Sequence, residues 1–396
     1  MVPNRDALCE DNQERVIVKV SDNAFASDNR TLCVGPQNFK KILFLGKGSH
    51  GRVYSVKSVG LGIEKLYAMK VVCKDEGKER LNQIAMEQSV LNEAKHPCIM
   101  SLNYAFQTDK YHYLIMPYCA GGSFLQLLRH QRNHRLEESQ ARFYAAEVFV
   151  ALEYLHLLGI LVRDLKPENI LLHESGHLML SDFDLATRIH ANPNVIHNQK
   201  RPSWFATRKD YRRDSISPGA SAERKKRRPL HRRRMSQCEY PFLDTETHFE
   251  TANWQEYSVV GTLDYIAPEV ISDETYTSSI DWWAFGILLY EMLYSTTPFK
   301  GSTKAETIEN LLDLSKELTF PEEIPVSAEA KDLLQRLLTK NSDIRLKSPQ
   351  HIRQHSFFST IQWPLIRHTK PPLKPIFEQA GDAKLDELTK YDHEVL

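Results

Sequence analysis

Apolar and polar positions follow two different periods along this chain. From Phe39, "FKKILFLGKGSHGRVYSVKSV" is apolar, then punctuated by glycine, then apolar again, which predicts two strands joined by a flexible turn. "KLYAMKVV" alternates, so that Leu66, Ala68, Lys70 and Val72 share one strand face. Residues 79–94 carry a helical pattern, and "YHYLIMPYC" reads as a strand entering a linker. A small sheet with one helix is expected over 39–117.

After Gly121 and Gly122 the pattern turns helical. In "SQARFYAAEVFVALEYLH", Tyr144, Val148, Leu152 and Leu155 fall at helical spacing, with Ser139 as the expected cap. "ILVRDLKPENILL" and the strand-like "HLMLS" follow, then apolar helical stretches at 281–294 and 328–338. A β-rich lobe followed by a larger helical lobe, 118–358, is an α+β, bilobal arrangement with a cleft between its halves. Residues 1–38 are polar and lack a sustained period, which predicts a loosely attached extension, and 359–396 form a tail. Residues 190–256 break the order. They are basic and poor in apolar periodicity, so they read as an insertion that lacks a packed core.

Composition changes this picture in two places. Lys and Arg total 51, as do Asp and Glu, so only the distribution of charge is informative. From Gln199 to Ser236 there are 14 basic residues against 3 acids, including "RKKRRPLHRRRMS". That run fits a solvated face, an import-receptor address, or attraction to anionic membrane lipid. The 6 cysteines lie far apart, which suggests neither a disulfide framework nor a zinc knuckle and points to a reducing compartment. No basic-then-apolar leader and no membrane-length apolar run is present, so the chain is expected to be soluble and without a transmembrane segment.

The chemistry concentrates in four stretches. "GKGSHGRV" sets Gly46, Gly48 and Gly51 between two strands, where missing Cβ atoms let backbone N–H groups approach phosphate oxygens; alone, the motif fits a plain turn equally well. Lys70 follows at the spacing of an ammonium that reaches the α/β-phosphates, and its apolar face makes an unpaired charge costly. Glu87 is the expected partner, in preference to Glu79 or Glu93. "VRDLKPEN" is the most specific signal: Asp164 accepts or orients the substrate hydroxyl, Lys166 neutralises the transferred group, and Asn169 takes a metal. Asp182, in "SDFD", supplies a carboxylate for Mg²⁺.

In this order, "GKGSHGRV", "AMK", "VRDLKPEN", "SDFD", "GTLDYIAPEV" and "DWWAFG" resemble the eukaryotic protein kinases over about 39–358. The resemblance implies ATP and Mg²⁺ as cofactors, protein substrates, and an ATP site at Leu45, Gly46, Lys47, Gly48, Ser49, His50, Gly51, Val53, Ala68, Lys70, Met116 and Cys119. Met116 aligns with the gate behind adenine. The closer resemblance is to AGC-type Ser/Thr kinases. It places Ser258, in "YSVVGT", at the activating phosphosite for an upstream kinase, and it makes Arg163 the phosphate's partner. Asp-Phe-Asp with a long insertion is similar to the plant auxin-transport and phototropin-related group and to the fungal flippase kinases. There the third residue, Asp184, accompanies activity.

Some positions depart from that pattern. Val162 replaces the usual His or Tyr before Arg163, and Ser123 stands where many AGC kinases have an acid, which predicts a weakened preference for upstream Arg even though Glu168 remains. The end "KLDELTKYDHEVL" carries no Phe-x-x-Phe motif. An active monomeric kinase of the cytoplasm, with a nuclear or plasma-membrane pool, is the leading reading. A pseudokinase scaffold is the alternative, motivated by Val162, Asp184 and Ser123. Nucleic-acid binding is the third, but the basic run has few interleaved aromatics and no recognisable binding fold.

Overall fold

The computed structural model describes residues 34–48, 51–61, 64–74, 78–188, 263–272, 274 and 276–375. The basic insertion, Ser49, His50, Ser258 and the chain beyond 375 lie outside the described residues.

The first lobe is a five-stranded antiparallel sheet in the order β1-β2-β3-β5-β4. Its strands are β1 (Phe39–Gly48), β2 (Gly51–Ser58), β3 (Leu66–Cys73), β4 (Tyr104–Gln107) and β5 (Tyr111–Pro117), with helix α1 (Lys78–Glu93) between β3 and β4. Alternation sorts the side chains of β3 into two buried sets. Tyr67, Met69 and Val71 join Phe39, Tyr54, Phe106 and Tyr113 in an aromatic-rich cluster, whereas Ala68, Lys70 and Val72 occupy the opposite face. Leu66, the fourth member of that second face, lies at the strand end and is 45% exposed. Val34 is buried in the aromatic cluster, and the Asn38 side chain contacts the Val59 carbonyl, so residues just before 39 pack onto this lobe.

The second lobe is built on α2 (Phe124–His130), α3 (Glu138–Leu157), α4 (Pro268–Ile271), α5 (Ser279–Tyr294), α6 (Lys304–Leu312), α7 (Ala328–Leu337) and α8 (Pro349–Arg353). Helices α3 and α5 form its centre. Fifteen of the sixteen residues of α5 are buried, which explains its all-round apolar sequence. The helix α3 begins at Glu138 with Glu137 as its cap, where the Gln140 amide oxygen accepts the Glu137 N–H at 3.1 Å. Ser139 therefore sits inside the first turn and is not the cap. The Glu138 carboxylate ties the turn to Ser327 and Arg142 instead.

Short strand pairs lie against this helical core: β6 (Ile160–Leu161) with β9 (Thr187–Arg188), and β7 (Ile170–Leu172) with β8 (Leu178–Leu180). The lobes meet at β8. Leu180 N–H donates to the Cys98 carbonyl at 2.8 Å, and its carbonyl accepts from Met100 N–H at 2.8 Å. No helix among the described residues is long and apolar enough to cross a membrane.

Candidate active site

Strand register places the glycine hairpin over Lys70. Gly46 lies opposite Val53, Val53 opposite Lys70, and Gly48 opposite Gly51 at the closing end. The glycines have different physical reasons. A Cβ on Gly51 would stand 2.6 Å from the Val71 carbonyl oxygen, so close packing on β3 excludes a side chain there. A Cβ on Gly46 would meet nothing within 4 Å, so no protein contact of its own explains that glycine. Ala68 pairs with Met116 at the linker end of the sheet, and the Cys119 thiol contacts the Met179 sulfur at 3.8 Å. Burial pushes the Cys119 thiol up to about 12, so it stays protonated.

The Lys70 ammonium joins groups from three parts of the chain. It donates to the two oxygens of Glu87 at 2.7 and 2.9 Å and to Oδ1 of Asp182 at 2.7 Å. Burial by itself lowers a lysine pKa, but the nearby Asp182, Glu87 and Asp184 carboxylates outweigh it and hold Lys70 above its ordinary range. Burial pushes Glu87 upward; the Lys70 ammonium opposes that shift, and the charges of Asp182 and Asp184 add to it. Glu87, on α1, thus meets Lys70. Glu93 instead pairs with Arg188 of β9, whose guanidinium also donates to Ser89 at 3.0 Å.

"VRDLKPEN" folds as a compact loop between β6 and β7. Lys166 Nζ donates to Asp164 Oδ2 at 2.7 Å, and Asn169 Nδ2 donates to the same oxygen at 2.8 Å and to the Asp164 carbonyl at 3.0 Å. Burial pushes the Asp164 carboxyl up to about 6, with Lys166 opposing the shift. Asn169 and Asp182 stand at the two ends of the β7–β8 hairpin. Ser181 ties those ends together, since its N–H and its hydroxyl both donate to the Asn169 carbonyl at 2.9 Å. An amide oxygen and a carboxylate form a hard donor set with few protein ligands, which suits Mg²⁺ held jointly with phosphates and water. The site therefore fits that cation.

Two residues here have left-handed backbone: Arg163 (φ +66°) and Asp182 (φ +61°). Such conformations cost about 1–3 kcal/mol each in a non-glycine residue and persist only where surroundings enforce them. For Arg163 the enforcing group is Asp281, on α5. Its carboxylate accepts the N–H groups of Val162 at 2.9 Å and Arg163 at 2.8 Å, and it contacts Nε2 of His156 at 2.7 Å. As a sequence, "DWWAFG" points to Asp281 only as a charge among the apolar residues that begin this helix. Val162 is 3% exposed and belongs to the core, as its packing role requires. Ser123 caps α2: its hydroxyl accepts the Gln126 N–H, and Gln126 Oε1 accepts the Ser123 N–H. The motif "GGSF" by itself does not indicate this local use of the side chain. Nor does "APEV" indicate the buried pair of Glu269 with Arg345, where Nη2 donates to Oε2 at 2.8 Å.

The protein kinase domain family matches residues 39–209 and 246–358. The serine/threonine-protein kinase nrc-2 of Neurospora crassa is 42% identical over 354 residues, covering 87% of this chain and 51% of that protein. Flippase kinase 1 of Saccharomyces cerevisiae is 38% identical, covering 92% of this chain and 36% of its own length. The serine/threonine-protein kinase WAG1 of Arabidopsis thaliana is 41% identical, covering 85% and 68%. The chain thus spans between about a third and two thirds of these relatives' lengths. By its family match, and by its identity to these fungal and plant kinases, the chain belongs to the protein kinase family.

Proposed function

We propose that this chain is a serine/threonine protein kinase that transfers the terminal phosphoryl group of ATP to hydroxyl groups of proteins. The observation that carries this reading is the joint placement of the buried Lys70 and Glu87 with the part-exposed Asp182 in one ion-paired cluster, near the Asp164–Lys166–Asn169 loop. Leu45, Gly46, Lys47, Gly48, Ser49, His50, Gly51 and Val53 are assigned to ATP binding, with the glycine loop on the phosphates. Ala68, Met116 and Cys119 border adenine. Glu87 holds the Lys70 ammonium ready for phosphate oxygens, and Lys166, already on Asp164, faces charge that develops on the transferred group. Asp164 orients the incoming hydroxyl and takes its proton. Asn169 and Asp182 hold Mg²⁺, which supplies charge neutralisation at the phosphates when bound.

Regulation extends the same reading. A phosphorylated Ser258 would bring close to two negative charges for Arg163 to meet, and Ser258→Ala lowers turnover severalfold; unchanged turnover of the purified variant excludes that role. For substrates, the name of the yeast relative supports a protein of the flippase class. The free cysteines among the described residues, Cys73, Cys98 and Cys119, support action inside the cell. The basic run then directs the kinase towards anionic lipid or an import receptor.

Transfer of labelled phosphate from ATP to a protein substrate tests the proposal. Incorporation that disappears in Asp164→Ala supports it. Equal incorporation in both preparations overturns it, and nucleotide binding without transfer favours the pseudokinase scaffold.

A further inference from the structure

The roles above leave one fully buried carboxylate unexplained. Glu147, in the middle of α3, is 0% exposed, and a carboxylate removed from water requires donors and a counter-charge. Its Oε1 contacts Nδ1 of His177 at 2.6 Å, and its Oε2 accepts the Leu178 N–H at 2.9 Å. Nη1 of Arg367 lies 3.5 Å from Oε1 and donates to the Leu178 carbonyl at 3.3 Å. Arg367 comes from the C-terminal tail, 189 positions beyond Leu178. Both backbone groups of Leu178 are therefore held by a single acid–base pair, and half of that pair is the tail.

Leu178 opens β8 opposite Leu172 of β7, and the far ends of that hairpin carry Asn169 and Asp182. Leu178 and Asp182 are four residues apart, about 13 Å of extended chain, so a shift at one end is passed along a packed strand to the other. The tail continues over the same hairpin. A Cβ on Gly176, which has φ +88°, would stand 2.8 Å from the Leu373 carbonyl oxygen, and a Cβ on Gly121 would stand 2.8 Å from Pro375.

We propose that Arg367 is a positioning residue for the cation-ligating pair: through Glu147 and Leu178, the docked tail sets the spacing of Asn169 and Asp182, and with it the affinity for Mg²⁺-bound nucleotide. The proposal rests on the assignment of those two residues as Mg²⁺ ligands.

Calorimetric titration of the full chain with ADP, in the presence and absence of Mg²⁺, tests it without turnover. Arg367→Met is expected to bind Mg²⁺–ADP roughly tenfold more weakly, the usual scale for a lost supporting contact, while metal-free ADP binding stays at the wild-type level. Arg367→Lys, which keeps the cation, recovers most of the difference, and amides 178–183 exchange hydrogen faster in the Met variant. Lower thermal stability with both nucleotide affinities unchanged overturns the proposal. Because Arg367→Met leaves Glu147 without its counter-charge, the same titration is made on the Glu147→Gln/Arg367→Met double variant, which removes both charges. Loss of the Mg²⁺-dependent affinity there supports the assignment, and wild-type affinity for Mg²⁺–ADP overturns it. A wild-type chain that binds Mg²⁺–ADP but transfers no phosphate would remove the kinase reading while leaving this test intact.

Discussion

Lys70 and Asp182 are 112 positions apart in the chain, yet the lysine ammonium lies 2.7 Å from the aspartate Oδ1. Glu87 meets the same ammonium from α1, so a strand, a helix and the end of the β7–β8 hairpin converge on one cation. Lys70→Met keeps the apolar stem and removes the charge. Turnover is expected to fall by about two to three orders of magnitude, the scale of a lost electrostatic contact at a reacting group. Retention of more than a tenth of wild-type turnover would count against this role.

On the proposed function, Asp164 is expected to set the pH dependence. Its carboxyl is pushed up to about 6 by burial, so below that pH it is protonated and cannot accept the hydroxyl proton. The rate constant kcat/KM is expected to rise with pH through about 6 and then level off. Asp164→Asn should lower kcat by about 10²- to 10⁴-fold, the range for loss of a positioned base, and abolish that acidic limb. A limb that survives in Asp164→Asn assigns the titration to another group.

Asp281 holds the loop from below. Asp281→Ala removes the acceptor for the N–H groups of Val162 and Arg163 and frees Arg163 to leave its left-handed conformation. Each lost hydrogen bond to a charged acceptor is worth about 1.5–3 kcal/mol. Both kcat and thermal stability are expected to fall, with nucleotide affinity changed less than kcat. Denaturant unfolding measured alongside steady-state kinetics checks both halves.

The Glu269–Arg345 pair is structural. The side chains are 2% and 0% exposed, and Arg345→Met strands a buried carboxylate. The expected loss is about 3–5 kcal/mol of stability, whereas a double Glu269→Met/Arg345→Met variant should lose less. Urea unfolding of the two variants separates the outcomes.

Asp184 is 5% exposed and contributes to the field at Lys70, while Asp182 makes the direct contact. Asp184→Gly is expected to keep phosphotransfer within about a factor of ten of wild type while adding backbone freedom worth roughly 0.5–1 kcal/mol. Hydrogen exchange over 184–188 should quicken. A loss of turnover as deep as that of Lys70→Met would show that Asp184 serves the chemistry directly.

Much of the site was legible because its residues sit in short contiguous motifs whose spacing reflects local geometry. Asp164, Lys166 and Asn169 lie within six positions, and their mutual hydrogen bonds follow from one tight loop. Glu87 could be chosen over its neighbours from helical phase. Helix starts were less legible: Ser139 looked like a cap, but Glu137 fills that place because the Glu138 side chain is engaged by Ser327, 189 positions away. Ser123 stands where the family pattern has an acid, and its hydroxyl serves as a cap for α2. The supports Asp281, Glu147 and Arg345 were not assigned, since nothing within their own motifs indicates what they hold.

By itself, then, the sequence determined the two-lobed order of strands and helices and singled out the candidate groups of the site, because periodicity and motif spacing are local properties of the chain. Tertiary structure alone decided which distant groups meet. Asp281 enforces the left-handed Arg163, and the tail's Arg367 reaches the Leu178 carbonyl, because a buried charge must find its partners wherever packing brings them, at separations of 118 and 189 positions here.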